Sequence, residues 1–108
     1  MQISFTHRAF KVCNEKKEMV KTLGADCASK LQLRMFELTT APNMARIPIH
    51  ARLHGLKGNR IGQYAVDIDK QFRIIFVPDC ETLPLKPDGG LDLVQVSSIL
   101  VIEVTDYH

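Results

Sequence analysis

The sequence predicts an α+β fold in which a short strand and two helices precede a run of strands. Apolar residues recur every three or four positions between residues 8 and 38, and strict alternation replaces this spacing from residue 49 onward. Glycine, proline and Asx residues separate the periodic segments. A chain of 108 residues can bury roughly two thirds of its unfolded surface. We therefore expect residues 1–108 to form one domain that needs no disulfide or metal to fold.

The first half of the chain predicts an edge strand and a helical hairpin. Residues 2–5 alternate, and residues 8–23 carry an apolar stripe with helical spacing. Gly24 suits the left-handed position after a helix end, and Asp26 could accept hydrogen bonds from the first free amides of the next helix. This second helix should end before Pro42. His7 is expected to be a surface or capping residue.

Four segments with period-two alternation predict the strands, at residues 49–54, 63–68, 72–77 and 100–106. Asp69 and Lys70 lie at the turn between the second and third of these segments. The last segment alternates Leu100, Ile102 and Val104 with Val101, Glu103, Thr105 and Tyr107. If the helices cover the apolar face of the sheet, the opposite face carries five polar side chains from three strands: His50, Arg52, His54, Arg73 and Tyr107.

Residues 78–98 contain three prolines and the pair Gly89-Gly90, which is typical of a surface loop rather than a central strand. Within it, residues 91–96 could either pair briefly with a neighbouring strand or form a single helical turn. Cys80 lies in this loop without a neighbouring basic residue that would activate its thiol.

The net charge of +2 is unevenly distributed along the chain. Residues 1–60 hold eleven Lys and Arg against four Asp and Glu, whereas residues 61–108 hold three against eight. Residues 44–60 contain four basic residues and no acidic one. A phosphate-binding surface and an ordinary solvated basic face explain this distribution equally well.

The composition also argues against several classes of site. Three cysteines, of which Cys13 and Cys27 fall in the helical stripes, form no CxxC pair, and no apolar run approaches the ~20 residues of a membrane span. We expect a cytoplasmic protein without a membrane segment. The histidines lack metal-ligand spacing, so neither metal nor cofactor is predicted. The glycines at 55, 58 and 62 are not followed by Lys-Ser/Thr opening a helix, which argues against a nucleoside triphosphate loop.

Several segments resemble the RelE/ParE superfamily of bacterial toxins, in particular its HigB or plasmid maintenance killer branch. The matching segments are Leu-His-Gly-Leu-Lys-Gly-Asn-Arg at 53–60, Gly-Gln-Tyr at 62–64, Phe-Arg-Ile at 72–74 and Val-Thr-Asp-Tyr-His at 104–108. Together with the helical hairpin they cover nearly the whole chain. The chain departs from the family at Tyr64 and Phe72, where tryptophans are usual, at the Asp69-Lys70 turn, and in its longer 78–98 loop.

This resemblance implies a RelE-like microbial RNase fold, with two helices packed on a twisted antiparallel sheet. It also implies a type II toxin that cleaves messenger RNA in the ribosomal A site without metal, and a cognate antitoxin, often a helix-turn-helix protein, as its partner. Matching the motifs residue by residue gives five active-site residues: His54, Lys57, Asp106, Tyr107 and His108. The same match makes Arg60 and Arg73 candidate RNA phosphate contacts, and Arg52 on the predicted polar face is a third candidate.

The chemistry of these residue types fits RNA cleavage through the 2′-hydroxyl. That reaction needs a base for the hydroxyl, cations for the charged phosphorane and an acid for the leaving 5′-oxygen. Histidine serves either proton role near neutral pH, and Lys57 and Arg73 supply positive charge. We expect Tyr107 and His108 to lie just beyond the anchored last strand. Two alternatives stay open: a ParE-like inhibitor of DNA gyrase, and a module that binds nucleic acid or an antitoxin without catalysis.

Overall fold

The computed structural model describes residues 1–106, in which three helices pack on a five-stranded sheet. The helices are α1 (His7–Asn14), α2 (Lys16–Leu23) and α3 (Ala25–Thr40). The strands are β1 (Gln2–Phe5), β2 (His54–Gly55), β3 (Tyr64–Asp67), β4 (Phe72–Pro78) and β5 (Ser98–Asp106), in the order β1-β5-β4-β3-β2. The predicted α+β fold is confirmed. The sheet is mixed rather than wholly antiparallel, because β1 pairs with β5 in parallel.

The predicted helix over residues 8–23 is broken into α1 and α2 at Glu15, whose backbone is extended (φ −105°, ψ 108°). The Asn14 side chain donates to the Phe10 carbonyl over 2.9 Å, a local bond by which asparagine competes with helix continuation. In a continuous helix Cys13 and Met19 would point about 120° apart. The break lets both enter the core, where they are 8% and 2% exposed.

The junction of α2 and α3 follows the prediction at Gly24 but not at Asp26. Gly24 has φ +84°, and its amide donates to the Val20 carbonyl over 2.8 Å. Asp26 does not cap α3 through its side chain, because Gly24 itself is the N-cap residue. Asp26 lies in the first turn instead, where its negative charge interacts favourably with the positive end of the helix dipole. As predicted, α3 ends before Pro42.

The hydrophobic core lies between α3 and one face of the sheet. Its fully buried side chains include Leu31 and Leu38 from α3 and Ile74 and Phe76 from β4. Truncating such a leucine to alanine typically costs about 2–5 kcal/mol of stability. Cys13 and Cys27 belong to this core, as the helical stripes predicted.

The predicted strand over residues 49–54 is wrong except at its end. A 3-10 turn occupies Ile49–Ala51, and only His54 and Gly55 pair in the sheet. Pro48 initiates the turn with φ −55°, and its carbonyl accepts from the Ala51 amide over 3.0 Å. Ile49 is 96% exposed, so its place in the alternation does not reflect burial. His50 therefore does not share a strand face with His54.

A β-bulge in β5 changes which of its side chains face the core. Ile75 pairs with Glu103 but Phe76 pairs with Val101, so Ile102 is the extra residue. Val101 consequently lies in the core with Val104, whereas the sequence alternation had placed Val101 on the face of Glu103 and Thr105. The Thr6 hydroxyl donates to the Ile102 carbonyl over 2.6 Å and so braces the bulge.

In the loop at 79–97 the predicted single helical turn forms, whereas Leu91 pairs within the loop rather than with a neighbouring strand. Leu85 and Leu91 form an isolated antiparallel bridge, and Leu93–Gln95 is a single 3-10 turn. Val96 anchors the end of the loop in the core with no exposed surface. Within residues 1–106, no helix is long and apolar enough to cross a membrane.

Candidate active site

The candidate site lies on the sheet face turned away from α3, which we call the far face. Strand pairing places two neighbouring rows of side chains there. One row runs through His54, Ala65, Ile75 and Glu103, and the next through Asp67, Arg73 and Thr105. Ala65 and Ile75 have no exposed surface, so they form an apolar floor beneath the charged side chains. A dry floor of this kind strengthens the charge interactions above it.

His54 is held in one orientation by the backbone just before it. Its Nδ1 lies 2.7 Å from the Arg52 carbonyl oxygen. A carbonyl can only accept, so Nδ1 carries the proton, and Nε2 of the neutral ring is left with a free lone pair. Such a nitrogen can accept a proton from a substrate hydroxyl.

Arg52 itself occupies the left-handed region, with φ 58° and ψ 50°. Among residues 1–106 it is the one non-glycine residue with positive φ. This conformation ends the 3-10 turn and directs the chain into β2. Its side chain, 75% exposed, places Nε 3.4 Å from the Asp67 carboxylate on the far face.

The loop from β2 to β3 carries Arg60 over the same face. Gly58 and Gly62 have φ +66° and +91°, conformations that favour glycine and close the loop. Arg60 donates to Gln63 Oε1 over 2.7 Å and forms an ion pair with Glu103. Lys57 is exposed at the start of this loop, where its ammonium group is available to an anionic ligand.

Two acidic residues that sequence reasoning did not assign to the site organise its arginines. Glu103, whose side chain is 13% exposed, pairs with Arg60 and also with Arg8, the latter over 3.2 Å. Asp67 pairs with Arg52 and stands opposite Arg73 in the sheet. The signal available in the sequence was their shared alternation with Thr105 and Arg73.

The other predicted site residues lie elsewhere or outside the described part of the chain. Asp106 stands opposite Phe72, so strand alternation puts it on the face opposite Arg73, and it accepts from the Gln71 side chain over 3.0 Å. His50 lies 2.5 Å from the Glu37 carboxylate on α3, away from the far face. Tyr107 and His108 lie outside the described residues. The structure thus brings together His54, Arg52, Arg60 and Arg73 on or beside the far face.

Two of the three thiols lie in the core rather than at this site. Burial raises the pKa of Cys13 to about 11 and, together with the nearby Asp69 carboxylate, that of Cys27 to about 12. Both thiols are therefore protonated and unreactive at neutral pH. Within residues 1–106, no three His, Cys, Asp or Glu side chains are grouped to hold a metal ion.

Comparison with solved structures finds proteins that share this fold. No protein-family model and no curated protein matches the sequence. The YoeB/ParE toxin from Agrobacterium tumefaciens superposes with a TM-score of 0.58 at 13% identity, over 100% of both chains. YafQ from E. coli gives 0.61 at 13% identity, over 98% of this chain and 92% of its own. YoeB in the YoeB-YefM complex from Staphylococcus aureus gives 0.56 at 15% identity, over 100% and 97%. The chain has the fold of the YoeB, ParE and YafQ toxins.

Proposed function

We propose that this protein is the toxin of a type II toxin-antitoxin pair, a cytoplasmic endoribonuclease that cleaves messenger RNA on the ribosome without a metal ion. The observation that carries the proposal is the imidazole of His54, oriented by the contact of its Nδ1 with the Arg52 carbonyl, beside three arginines on or next to one sheet face. A site that only bound an anion would need the arginines but not an oriented imidazole. The fold shared with toxins and the LHxLKG and DYH motifs support the same function.

In the proposed reaction, Nε2 of His54 takes the proton of a ribose 2′-hydroxyl. The 2′-oxygen then attacks the adjacent phosphorus, and the bond to the 5′-oxygen of the next nucleotide breaks. The products are a 2′,3′-cyclic phosphate and a 5′-hydroxyl, whose proton comes from a general acid; His108 is our proposal for this group. Lys57, Arg60 and Arg73 stabilise the extra negative charge of the phosphorane, which is greatest in the transition state.

The remaining assignments belong to the same proposal. Arg52 contacts RNA phosphate at the rim of the far face, and Tyr107 stacks on a base. Asp106 faces away from Arg73, so we assign it a role in positioning the chain end rather than contact with the reacting phosphate. The partner is an antitoxin of the helix-turn-helix, HigA-like type, and the HigB branch stays a prediction from the two motifs. The YoeB-YefM complex shows that a chain of this fold forms a complex with a second protein.

The test is induced expression with three readouts in the same cells: protein synthesis, supercoiling of a reporter plasmid and integrity of translated messages. We expect translation to stop, messages to be cut and supercoiling to persist. Arg73→Ala should slow cleavage about ten- to over a hundredfold, because a charge-assisted contact contributes roughly 1.5–3 kcal/mol. Lys17→Ala, at an exposed position of α2, is the matched control.

Two outcomes would contradict the proposal. Loss of negative supercoiling with intact messages would establish the ParE-like alternative. If translation and supercoiling are both unaffected and the protein still binds RNA or an antitoxin tightly, the protein is a binding module without catalysis. An Arg73→Ala protein that does not fold would show that Arg73 is part of the structural core.

A further inference from the structure

A cationic cleft lies beside the far face, at the outer edge of β3, and we call it the edge cleft. It exists because β2 pairs with only Tyr64 and Ala65, leaving the rest of the β3 edge without a neighbouring strand. Arg34 from α3 takes the place of that strand, since its Nε donates to the Asp67 carbonyl over 2.7 Å. The resulting cleft, of about 420 Å³, lies between α3 and the β3–β4 turn.

The lining of the edge cleft is mainly basic. It includes Lys30, Arg34, Arg52 and Lys70, together with His50, against two aspartates. Two of the arginines form ion pairs, Arg34 with Glu37 and Arg52 with Asp67, and His50 also contacts the Glu37 carboxylate. Lys30 and Lys70 are exposed and form no salt bridge within residues 1–106.

Asp69, one of the two aspartates that line the cleft, is already engaged by other donors. Asp69 accepts from the amides of Phe72 and Gln71 over 2.7 and 2.8 Å, and the Cys27 thiol also donates to it. Lys30 lies close enough to Asp69 to interact with its charge, but Asp69 is only one carboxylate facing two ammonium groups. The cleft thus presents ion-paired guanidinium groups and two exposed lysines to an anion.

The edge cleft is continuous with the candidate active site. Asp67, which lines the cleft, stands opposite Arg73 in the sheet, and Arg52 lies at the boundary of both regions. An extended strand whose phosphate lay at Arg73 and His54 would reach the cleft within a few nucleotides. The lining contains no Phe, Tyr or Trp, so it offers no stacking platform for a base.

We infer that the edge cleft binds the phosphates of single-stranded RNA that flank the cleaved nucleotide, independently of base sequence. This inference rests on the proposed function for RNA as the ligand. Phosphate contacts without base contacts position a nucleic acid but do not select its sequence. Lys30 and Lys70 are the residues that contribute these flanking contacts.

The test uses RNA that cannot be cleaved, so binding is measured apart from catalysis. A fully 2′-O-methylated uridine oligonucleotide of twelve residues is titrated by fluorescence anisotropy over a range of salt concentrations. The variants are Lys30→Gln/Lys70→Gln and the control Lys16→Gln/Lys17→Gln, which removes two exposed lysines of α2. For the twelve-residue RNA, loss of two contacts should reduce the slope of log Kd against log salt by about 1.4.

This reduction in slope means that the cleft variant binds about 25-fold more weakly than the wild type at 0.1 M salt, if the two proteins have equal affinities at 1 M salt. An unchanged slope, or an equal change in the control pair, would overturn the inference. So would a cleft variant that loses affinity for a polyglutamate peptide alone, since the cleft would then take an acidic protein segment.

The test of this inference can fail while the test of the proposed function succeeds, and the converse is also possible. A protein that binds RNA through the cleft but leaves messages intact in cells would keep this inference and remove the proposed function. If the wild type cuts messages but the cleft variant binds RNA as tightly as the wild type, the proposed function stands and this inference is wrong.

Discussion

The Arg52 backbone carbonyl accepts the Nδ1 proton of His54 over 2.7 Å, and Arg52 reaches that position in a left-handed conformation. The backbone conformation of Arg52 thus determines which ring nitrogen of His54 carries the proton of the neutral tautomer. The bond selects the tautomer of His54 without a carboxylate partner, and it leaves the Nε2 lone pair of that tautomer unused by this contact. Both residues follow the 3-10 turn that Pro48 starts.

The first prediction separates this hydrogen bond from the proton transfer. His54→Asn keeps an amide donor near the Nδ1 position, whereas His54→Gln places its amide near the Nε2 position. Both should lose about 10²-fold or more of message cleavage, because neither is a base. Only His54→Gln should lose stability as well, by about 0.5–1 kcal/mol, since it leaves the Arg52 carbonyl without its donor. Equal activity of either variant with the wild type would remove His54 from the reaction.

The second prediction concerns the strain at Arg52. Arg52→Gly and Arg52→Ala both remove the guanidinium, but only glycine adopts φ 58° without a steric cost. The glycine variant should be more stable than the alanine variant by about 1 kcal/mol in urea denaturation. Their RNA affinities should agree, because the lost contact is the same. A more stable alanine variant would mean that residue 52 relaxes to another conformation in solution.

The third prediction compares the two ion pairs of Glu103. Arg60 is 38% exposed at its side chain and Arg8 is 81% exposed. A double-mutant cycle over alanine variants should give about 1–2 kcal/mol of coupling for Arg60 with Glu103. The Arg8 cycle should give less than about 1 kcal/mol, as for other exposed pairs. Equal coupling in the two cycles would contradict the view that Glu103 mainly positions Arg60.

The fourth prediction follows from the turn at Asp69. Burial opposes ionisation of this carboxyl, but the amides of Phe72 and Gln71, the Cys27 thiol and Lys30 outweigh it, so its pKa lies below the ordinary 3.8. A lowered folded-state pKa stabilises the protein above the unfolded value and loses this effect as pH falls. Asp69→Ala should therefore be less stable than the wild type at pH 7, by a margin that shrinks between about pH 5 and pH 2. Denaturation midpoints measure this margin, and the exposed Glu81→Ala is the control.

The fifth prediction uses the three thiols as probes of the fold. Iodoacetamide at neutral pH should label Cys80 first, because Cys13 and Cys27 are 8% and 6% exposed and have raised pKa values. A pKa raised from 9.0 to about 11 leaves Cys13 with roughly 100-fold less thiolate than an ordinary cysteine. Intact mass should show one rapid addition, and none in Cys80→Ser. Rapid labelling of two or three thiols would mean that the core opens readily.

The helices, β3, β4 and the Asp69-Lys70 turn could be predicted because each is encoded by local periodicity. The break at Glu15 could not, because the apolar stripe continues through it and the local bond of Asn14 to the Phe10 carbonyl leaves no mark on the periodicity. The parallel pairing of β1 could not, because its partner β5 is far away in sequence. The alternation that begins at Ile49 predicted a strand that does not form. Pro48 starts a 3-10 turn there, and Arg52 ends it in a left-handed conformation. Short alternation is therefore weak evidence next to a proline.

At the candidate site, the placement of Arg73 and His54 opposite the core followed from strand parity alone. The alternation placed Glu103 on that face, but its ion pairs did not follow, because Arg60 and Arg8 come from a loop and from α1. The burial of Val101 did not follow either, because it depends on the bulge at Ile102. That bulge is set by pairing with β4 and by the Thr6 hydroxyl, 96 residues away in sequence. The acidic partners of a basic site are thus found only once the pairing is known.

The bond from Arg34 to the Asp67 carbonyl also bears on how molecules of this protein meet one another. An unprotected sheet edge offers free carbonyl and amide groups to the edge of a second molecule, and such pairing leads to aggregation. Arg34 occupies the acceptor at the point where β2 ends and sets a charged, fixed side chain across it. The chain can therefore keep β2 short and the cleft open without presenting a template for intermolecular sheet growth.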